Sequence, residues 1–220
     1  MEKLCIILLG PPGAGKGTQA KKIAKTYGIP HIESGRIFRE IAKGDDELSK
    51  TVKKCIELGG LVPDEIVNRI IKERLLSEDC QKGCILDGYP RTMSQVEALD
   101  SIISEIEGKI LVISLQIGKN KIIERNINRL ICPVCGAIYN LKTNPPKEDL
   151  KCDDCGSQLE KRVDDEKIEI LRKRIEVYEQ YTEPIIKHYK ERGIVKMVDA
   201  SQSPEKIFEE IKNIIDQALS

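Results

Sequence analysis

The chain has 220 residues, 36 Lys plus Arg against 36 Asp plus Glu, and 40% apolar residues. A chain of this size and apolar content can bury a sizeable core, so we expect one domain that carries inserted subdomains. The charge balance excludes the global positive field of a protein that coats nucleic acid or an anionic membrane. We therefore expect neither as a partner, and any bound anion must be met by local groups.

The N-terminal apolar run, residues 4–9, is too short for a membrane-spanning helix or the core of a secretory signal. Four of the eight cysteines form two Cys-x-x-Cys pairs, and the other four are scattered: Cys5, Cys55, Cys80 and Cys84. This usage favours metal ligation plus free thiols over a disulfide framework. We expect a cytoplasmic protein.

Short apolar runs typical of buried strands alternate with segments of helical spacing. The strands are predicted at residues 3–9, 83–87, 109–115 and 193–198, and more weakly at 29–32. The helices are predicted at residues 16–27, 63–77, 92–106, 119–130, 166–190 and 204–218. This alternation predicts an α/β fold, a three-layer core around a five-stranded parallel sheet.

Two stretches interrupt that rhythm. Residues 34–62 read as short charged helices broken at glycines, and residues 131–162 hold the paired cysteines with little helical periodicity. We interpret both as insertions mounted on a core of residues 1–33, 63–130 and 163–220.

Residues 10–18, Gly-Pro-Pro-Gly-Ala-Gly-Lys-Gly-Thr, form a glycine-rich turn between the first predicted strand and the first helix. Such a turn lets backbone amides converge at a helix N-terminus, and Lys16 can reach the terminal phosphates of a nucleotide. An ordinary capped turn is the alternative, and its position between strand and helix disfavours it. The strict phosphate-loop pattern has Ser or Thr directly after the lysine, whereas here Gly17 intervenes before Thr18.

Residues 87–92, Asp-Gly-Tyr-Pro-Arg-Thr, follow another buried strand and should emerge at the carboxyl edge of the sheet, facing the glycine-rich turn. Asp87 can orient Mg²⁺ through water, and Arg91 offers a planar fork for phosphate. A proline turn with a surface arginine is the alternative, which the pairing with the turn at residues 10–18 disfavours.

The form Gly-x-Pro-Gly-x-Gly-Lys-Gly-Thr resembles that of adenylate kinases and related nucleoside monophosphate kinases, and residues 87–92 resemble the motif with which they hold AMP. Residues 34–39 and 59–65 are similar to their AMP-binding insertion, and the resemblance covers nearly the whole chain. It implies a P-loop NTPase-like core, a helical NMP-binding insertion at residues 34–62 and a zinc-ribbon-like lid at residues 131–162.

The resemblance also implies roles for individual residues. The expected ATP contacts are Gly13, Ala14, Gly15, Lys16, Gly17, Thr18, Arg125, Arg129, Ile138, Tyr139 and Gln202. The expected AMP contacts are Ser34, Arg39, Gly60, Leu61, Val62, Gly88, Tyr89, Pro90, Arg91, Gln95, Arg162 and Arg174. Catalytic roles are expected for Lys16, Arg91, Arg129, Arg162 and Arg174.

Some of these residues have a plainer interpretation from sequence alone. Ser34 followed by Arg39 is typical of a helix cap and a solvated charge. Arg125 and Arg129, four residues apart on a predicted helix, are typical of a solvent-facing stripe. Only the resemblance favours nucleotide contacts for these four residues.

Residues 162–165, Arg-Val-Asp-Asp, resemble the family's element that supplies an active-site arginine and hinge carboxylates, here Asp164 and Asp165. Matching the next helix requires one extra residue, so Lys173 and Arg174 compete for one role. We favour Arg174 because a planar fork suits phosphate better than a point charge.

Two Cys-x-x-Cys pairs separated by 16 residues suit tetrahedral zinc, with Cys132, Cys135, Cys152 and Cys155 as ligands. We expect a structural site, because the insertion is too small to fold on hydrophobic burial alone. A redox role is disfavoured because such motifs rarely come as a spaced pair. A nucleic-acid-binding ribbon is disfavoured by the acidic neighbours Asp153 and Asp154.

The implied activity is reversible, Mg²⁺-dependent transfer of the terminal phosphoryl group of ATP to AMP, giving ADP, by a monomer. The nearest alternatives are kinases for UMP, CMP or GMP and a GTP-using AMP kinase. Outside enzymes, a nucleotide-gated zinc-ribbon regulator is the alternative. Gln95 and the long lid favour AMP.

Overall fold

The computed structural model describes residues 3–162, 165 and 167–219. The strands are β1 Lys3–Leu9, β2 His31–Glu33, β3 Gly83–Asp87, β4 Gly108–Gln116, β5 Arg129–Ile131, β6 Ile138–Asn140 and β7 Val195–Asp199. The helices are α1 Lys16–Tyr27, α2 Ser34–Ile41, α3 Glu47–Glu57, α4 Asp64–Leu75, α5 Met93–Glu105, α6 Lys119–Ile127, α7 Ile168–Val177, α8 Glu183–Glu191 and α9 Pro204–Leu219. A 3₁₀ turn at Glu78–Cys80 and a π-helical segment at Tyr178–Thr182 complete the elements.

The central sheet has five parallel strands in the order β2-β3-β1-β4-β7. Strand β1 pairs on both sides, and its apolar run is buried because helices cover both faces. Ile7 packs with α4, α5 and α8 on one face, while Ile6 packs with α1 and α9 on the other. The predicted three-layer α/β core is confirmed.

Strands β1 and β3 and helix α1 have the bounds that the sequence predicts. The helix predicted at residues 166–190 is confirmed as one continuous helical stretch from Ile168 to Glu191, in which the π-helical segment lies between α7 and α8. Its first predicted residue, Glu166, lies outside the described residues.

The helix predicted at residues 119–130 is also too long, because α6 ends at Ile127 and Arg129 begins β5. The backbone of Arg129 pairs with Asn140 in an antiparallel ladder, and the carbonyl of Asn128 accepts from Leu141 N at 2.9 Å. These pairings offer the chain hydrogen bonds that replace the helical ones. Arg125 therefore lies on α6 and Arg129 on β5. The sequence predicted that both lie on one face of one helix, and this prediction is wrong.

The two interrupting stretches are built differently from the core. Residues 34–62 contain α2 and α3, the latter capped by Asp46, whose carboxylate accepts from Ser49 N at 2.6 Å. The stretch around β5 and β6 has its own small apolar cluster, made of Leu130, Cys132, Ala137, Tyr139, Cys152 and Leu159. The exact boundaries of both insertions stay predictions. Among the described residues, no helix combines the length and apolar character needed to cross a bilayer.

Candidate active site

The glycine-rich turn follows β1 and leads into α1, which begins at Lys16. Gly13 and Gly15 adopt positive φ values of 79° and 91°, a backbone region that side chains disfavour. The Lys16 ammonium donates to the carbonyls of Gly10 and Pro11 at 2.7 and 3.0 Å. Burial lowers the pKa of Lys16 to about 8, although the charge of Asp87 opposes this. A buried cation thus lies at the amino end of a helix, an arrangement that favours phosphate.

Gly17 occupies the position at which most phosphate loops carry Ser or Thr. The close approach of neighbouring side chains explains why this position has no side chain. A Cβ at this position would lie 3.2 Å from Ile138 Cδ1 and 3.4 Å from Asp87 Oδ2. Glycine therefore lets the lid strand β6 and the end of β3 approach the turn closely.

Asp87 ends β3 beside that turn, with Oδ2 3.5 Å from His31 Nε2. Burial alone would raise the pKa of Asp87, but the contact with His31 and the charge of Lys16 outweigh it, so the net pKa is lowered. The carboxylate stays ionised and borders the same cavity as Thr18. Hard oxygen donors of this kind fit Mg²⁺.

Two cavities open at the carboxyl edge of the sheet. The loop cavity is bordered by the glycine-rich turn, and from other elements by Arg125, Arg129, Ile138, Tyr139 and Gln202. The insertion cavity is bordered by Phe38, Gly60, Leu61, Val62, Val67, Gly88, Pro90 and Gln95. Five cationic side chains border both cavities: Lys16, Arg39, Arg91, Arg162 and Arg174. Anions placed in the two cavities would therefore meet at this shared cationic wall.

A buried carboxylate, Asp165, contacts two members of that wall, Arg162 and Arg174, and also the neighbouring Arg129. Asp165 Oδ2 accepts from Arg129 Nε at 2.6 Å and lies 4.0 Å from Arg162 Nε, while its Oδ1 accepts from Arg129 Nη2 at 2.7 Å and from Arg174 Nη1 at 2.6 Å. Its side chain is 2% exposed. Burial and the neighbouring Arg162 lower the pKa of Arg129 to about 10, although Asp165 opposes this. One carboxylate thus orients three guanidinium groups, and its predicted companion Asp164 lies outside the described residues.

The structure also separates the two competing residues of α7. Arg174 borders both cavities, whereas Lys173 contacts Glu176 at 3.3 Å on the surface. This geometry supports the preference for Arg174, and its catalytic role stays a prediction.

The remaining arginines are held by local partners. Arg39 donates to Glu33 Oε1 at 2.7 Å, and Arg91 Nε donates to the Gly88 carbonyl at 2.7 Å. Arg125 donates to the Ala200 carbonyl at 2.9 Å, and burial lowers its pKa. These contacts hold each guanidinium at its cavity.

Two predicted AMP contacts lie behind the cavity wall. The Ser34 hydroxyl, 1% exposed as a residue, donates to the Gly88 carbonyl at 2.8 Å, and the Tyr89 hydroxyl donates to Asn68 Oδ1 at 2.9 Å. Both side chains brace the segment that follows β3. Their predicted contact with nucleotide stays a prediction.

The paired cysteines converge as predicted. The four sulfur atoms of Cys132, Cys135, Cys152 and Cys155 all lie within 4.8 Å of one another, and two of the separations are 3.5 Å. Tetrahedral zinc with bonds of about 2.3 Å requires sulfurs about 3.8 Å apart, so this donor set fits zinc. Each pair closes with the same turn, in which Gly136 N and Gly156 N donate to the carbonyl of the first cysteine at 2.9 and 2.8 Å.

One of these turns also docks onto the rest of the molecule. Lys21 on α1 donates from Nζ to the Gly136 carbonyl, and a Cβ built on Gly136 would lie 3.5 Å from Nη1 of Arg36 on α2. The lid thereby contacts the core through Lys21 and lies close to the first insertion. No local sequence pattern identifies Lys21, His31 or Arg36, because a contact between separate elements leaves none.

Several known proteins are similar to this chain in sequence. A family model described as adenylate kinase matches residues 8–194. The chain is 49% identical to an adenylate kinase of Caldanaerobacter subterraneus over 96% of this chain and 95% of the relative. It is 47% identical to an adenylate kinase of Archaeoglobus fulgidus over 98% and 99%, and 48% identical to one of Thermotoga neapolitana over 96% of both.

Proposed function

This chain belongs to the adenylate kinase family, and from that membership we propose how its site carries out the reaction. The reaction is Mg²⁺-dependent, reversible transfer of the terminal phosphoryl group of ATP to AMP, giving two ADP. The observation that carries the proposal is the shared cationic wall of Lys16, Arg39, Arg91, Arg162 and Arg174 between two cavities.

We assign ATP to the loop cavity and AMP to the insertion cavity. A polyphosphate suits the turn at the amino end of α1, where backbone amides and Lys16 converge. A base suits the apolar walls of the insertion cavity, which include Leu61, Val62 and Val67. The two phosphate tails then meet end to end at the shared wall.

The phosphoryl transfer requires alignment of the two nucleotides and stabilisation of charge, and it needs no general base. The attacking group is already a phosphate oxygen of AMP, and the obstacle is repulsion between two anions. Guanidinium groups held by Asp165 are preoriented, so they do not reorganise as charge develops on the transferring group. Mg²⁺ held near Asp87 and Thr18 would supply further neutralisation of the donor phosphates.

Transfer to water must be prevented, and we propose that the two insertions do this by closing. Ile138 and Tyr139 of the lid border the loop cavity, so lid closure covers the phosphates. Residues 34–62 and 131–162 act as the moving parts on the core. Zinc on the four cysteines would keep the lid folded as one body, without touching the phosphates.

We further propose a monomer that works in the cytoplasm. All eight cysteines are free thiols, and four of them form a cluster that suits a metal. Such usage is typical of a reducing compartment.

A coupled assay tests the activity, with ATP and Mg²⁺ as donor and AMP, UMP, CMP and GMP offered in turn. We expect AMP to be the preferred acceptor, and ATP to exceed GTP as donor. Turnover with none of the four acceptors would contradict the proposal and favour a nucleotide-gated regulator.

A further inference from the structure

The side-chain amide of Gln95 lies in the first turn of α5 and borders the insertion cavity. The residue is 2% exposed. Its Oε1 accepts from the backbone N–H of Arg91 at 2.7 Å, and its Nε2 donates to Asp64 Oδ1 at 2.7 Å. Two neighbours of opposite hydrogen-bonding character therefore hold this amide.

These neighbours determine which way the amide faces. A backbone N–H can only donate and an ionised carboxylate can only accept. Reversing the Gln95 amide would set donor against donor at Arg91 and acceptor against acceptor at Asp64. The orientation of the amide is therefore imposed by its surroundings, with Asp64 as the charged partner.

Asp64 is itself fixed in place. Its second oxygen, Oδ2, accepts from Thr92 Oγ1 at 2.8 Å, so both carboxylate oxygens are used. It is the first residue of α4, where the amino end of a helix favours negative charge. Thr92 caps α5 by accepting from Gln95 N at 3.2 Å. The first turns of α4 and α5 are thus tied together around this one carboxylate.

After these bonds, Oε1 of Gln95 retains one lone pair and Nε2 retains one N–H, on neighbouring ends of the same amide. This pair complements a base edge on which a donor and an acceptor are adjacent in the matching order. The 6-amino group and N1 of adenine offer that order. The 6-oxo group and N1–H of hypoxanthine or guanine offer the reverse, which would fit only a reversed amide.

We propose that Asp64 is a specificity-determining positioning residue, which acts by holding the Gln95 amide in the orientation that accepts a 6-aminopurine monophosphate and rejects a 6-oxopurine one. The inference rests on the proposed function, since it concerns the acceptor of that reaction. Asp64 acts through Gln95 and does not itself touch the nucleotide.

The test compares AMP with IMP as acceptors. The two share their size and their phosphate, and they differ where the base edge reverses its donor and acceptor. We expect the parent protein to prefer AMP by at least about a hundredfold in kcat/KM, because a mismatched edge leaves buried polar groups unpaired.

The variant Asp64→Asn keeps the shape but can present an N–H to Gln95, which removes one of the two obstacles to the reversed amide and leaves only the Arg91 N–H opposing it. We expect the AMP preference to fall by about tenfold, through a higher KM for AMP and a lower KM for IMP, with an unchanged KM for ATP. Glu65→Gln is the matched control, because it removes an exposed carboxylate from the same first turn of α4, and it should keep the parental preference. Asp64→Glu retains the charge at the helix start but displaces the carboxylate, so it repeats the test if the asparagine variant is unstable.

A double-mutant cycle separates action through Gln95 from a general effect. In a Gln95→Ala background, Asp64→Asn should leave the AMP to IMP ratio unchanged. A parental ratio in both Asp64 variants would overturn the inference, as would an equal fall with and without Gln95. A parent protein that phosphorylates AMP while the Asp64 variants keep its ratio rejects only the role of Asp64, whereas a parent inactive on AMP rejects the proposed function.

Discussion

The central sheet and the lid differ in the interactions that hold them together. Strand β1 is buried from Leu4 to Leu9 because apolar side chains on both faces pack against helices. The apolar cluster at the lid has six buried residues, of which Leu130 precedes the lid and two are cysteines from the four-sulfur group. The core is therefore held by hydrophobic burial, whereas the lid carries four sulfurs that fit zinc, and we propose that a metal bound there stabilises it. Substitutions at the proposed nucleotide site should therefore lower turnover more than stability, whereas substitutions of the four cysteines should lower stability first.

The largest expected effect is on turnover. We predict that Lys16→Met lowers kcat by at least about a hundredfold, because it removes a buried cation from the shared wall. Its thermal midpoint should change little, since the buried ammonium is lost without opening the core. Steady-state kinetics and calorimetry on the same preparation measure both. A large fall in stability with retained turnover would contradict the assignment.

The next effect falls on the lid. We predict that Cys132→Ser combined with Cys155→Ser lowers the thermal midpoint, because two of four sulfur ligands are lost. Chelation of the parent protein should produce a similar fall. Cys55→Ser is the control, since this cysteine lies in α3, outside the four-sulfur cluster. Equal melting temperatures for the double variant and the parent would refute the structural role of the cluster.

The pH dependence of activity tests the proposed role of Lys16 in the core. Burial lowers the pKa of Lys16 from its ordinary value to about 8, so the side chain is charged below that pH and neutral above it. We predict that kcat/KM for MgATP falls by about tenfold per pH unit above pH 8. The free energy of unfolding should change in the opposite direction. Burial of the charged Lys16 opposes folding below pH 8, and this cost decreases as the pH rises above 8 because the buried side chain loses its proton.

Lys16→Arg should abolish this fall in whatever activity it retains, because a guanidinium stays charged throughout the range. Measurement of kcat/KM from pH 6 to 10 distinguishes the two proteins. A flat parental profile up to pH 10 would contradict the assignment of the titration to Lys16.

The smallest expected effect lies where the two regions touch. Lys21 donates to the carbonyl of Gly136 and thereby joins α1 to a cysteine turn of the lid. We predict that Lys21→Met lowers kcat/KM for ATP by about threefold to tenfold, because a hydrogen bond from a charged group favours lid docking. Lys25→Met, an exposed position on the same helix, should match the parent. Hydrogen exchange of the lid would report the change directly, and identical exchange in both variants would count against a docking role.

Local pattern was sufficient wherever neighbouring residues decide the structure. The bounds of β1, α1 and β3 follow from apolar runs and a glycine-rich turn, and the cysteine spacing anticipates the four-sulfur cluster. Helix α6 shows the limit, because its predicted last turn becomes strand β5 once residues 138–140 supply ladder partners. Competition between helix and strand hydrogen bonds is settled by a segment that lies elsewhere in the chain.

The sequence by itself thus determined the fold class, the glycine-rich turn and the four-cysteine cluster, because each depends on residues close together in the chain. Only the tertiary structure decided how the site is held. Asp165 gathers Arg129 and Arg174, and Asp64 orients Gln95, across separations of 9 to 36 residues. Such contacts arise when packed elements bring distant side chains together, and charge at hydrogen-bonding distance then gives them their energy.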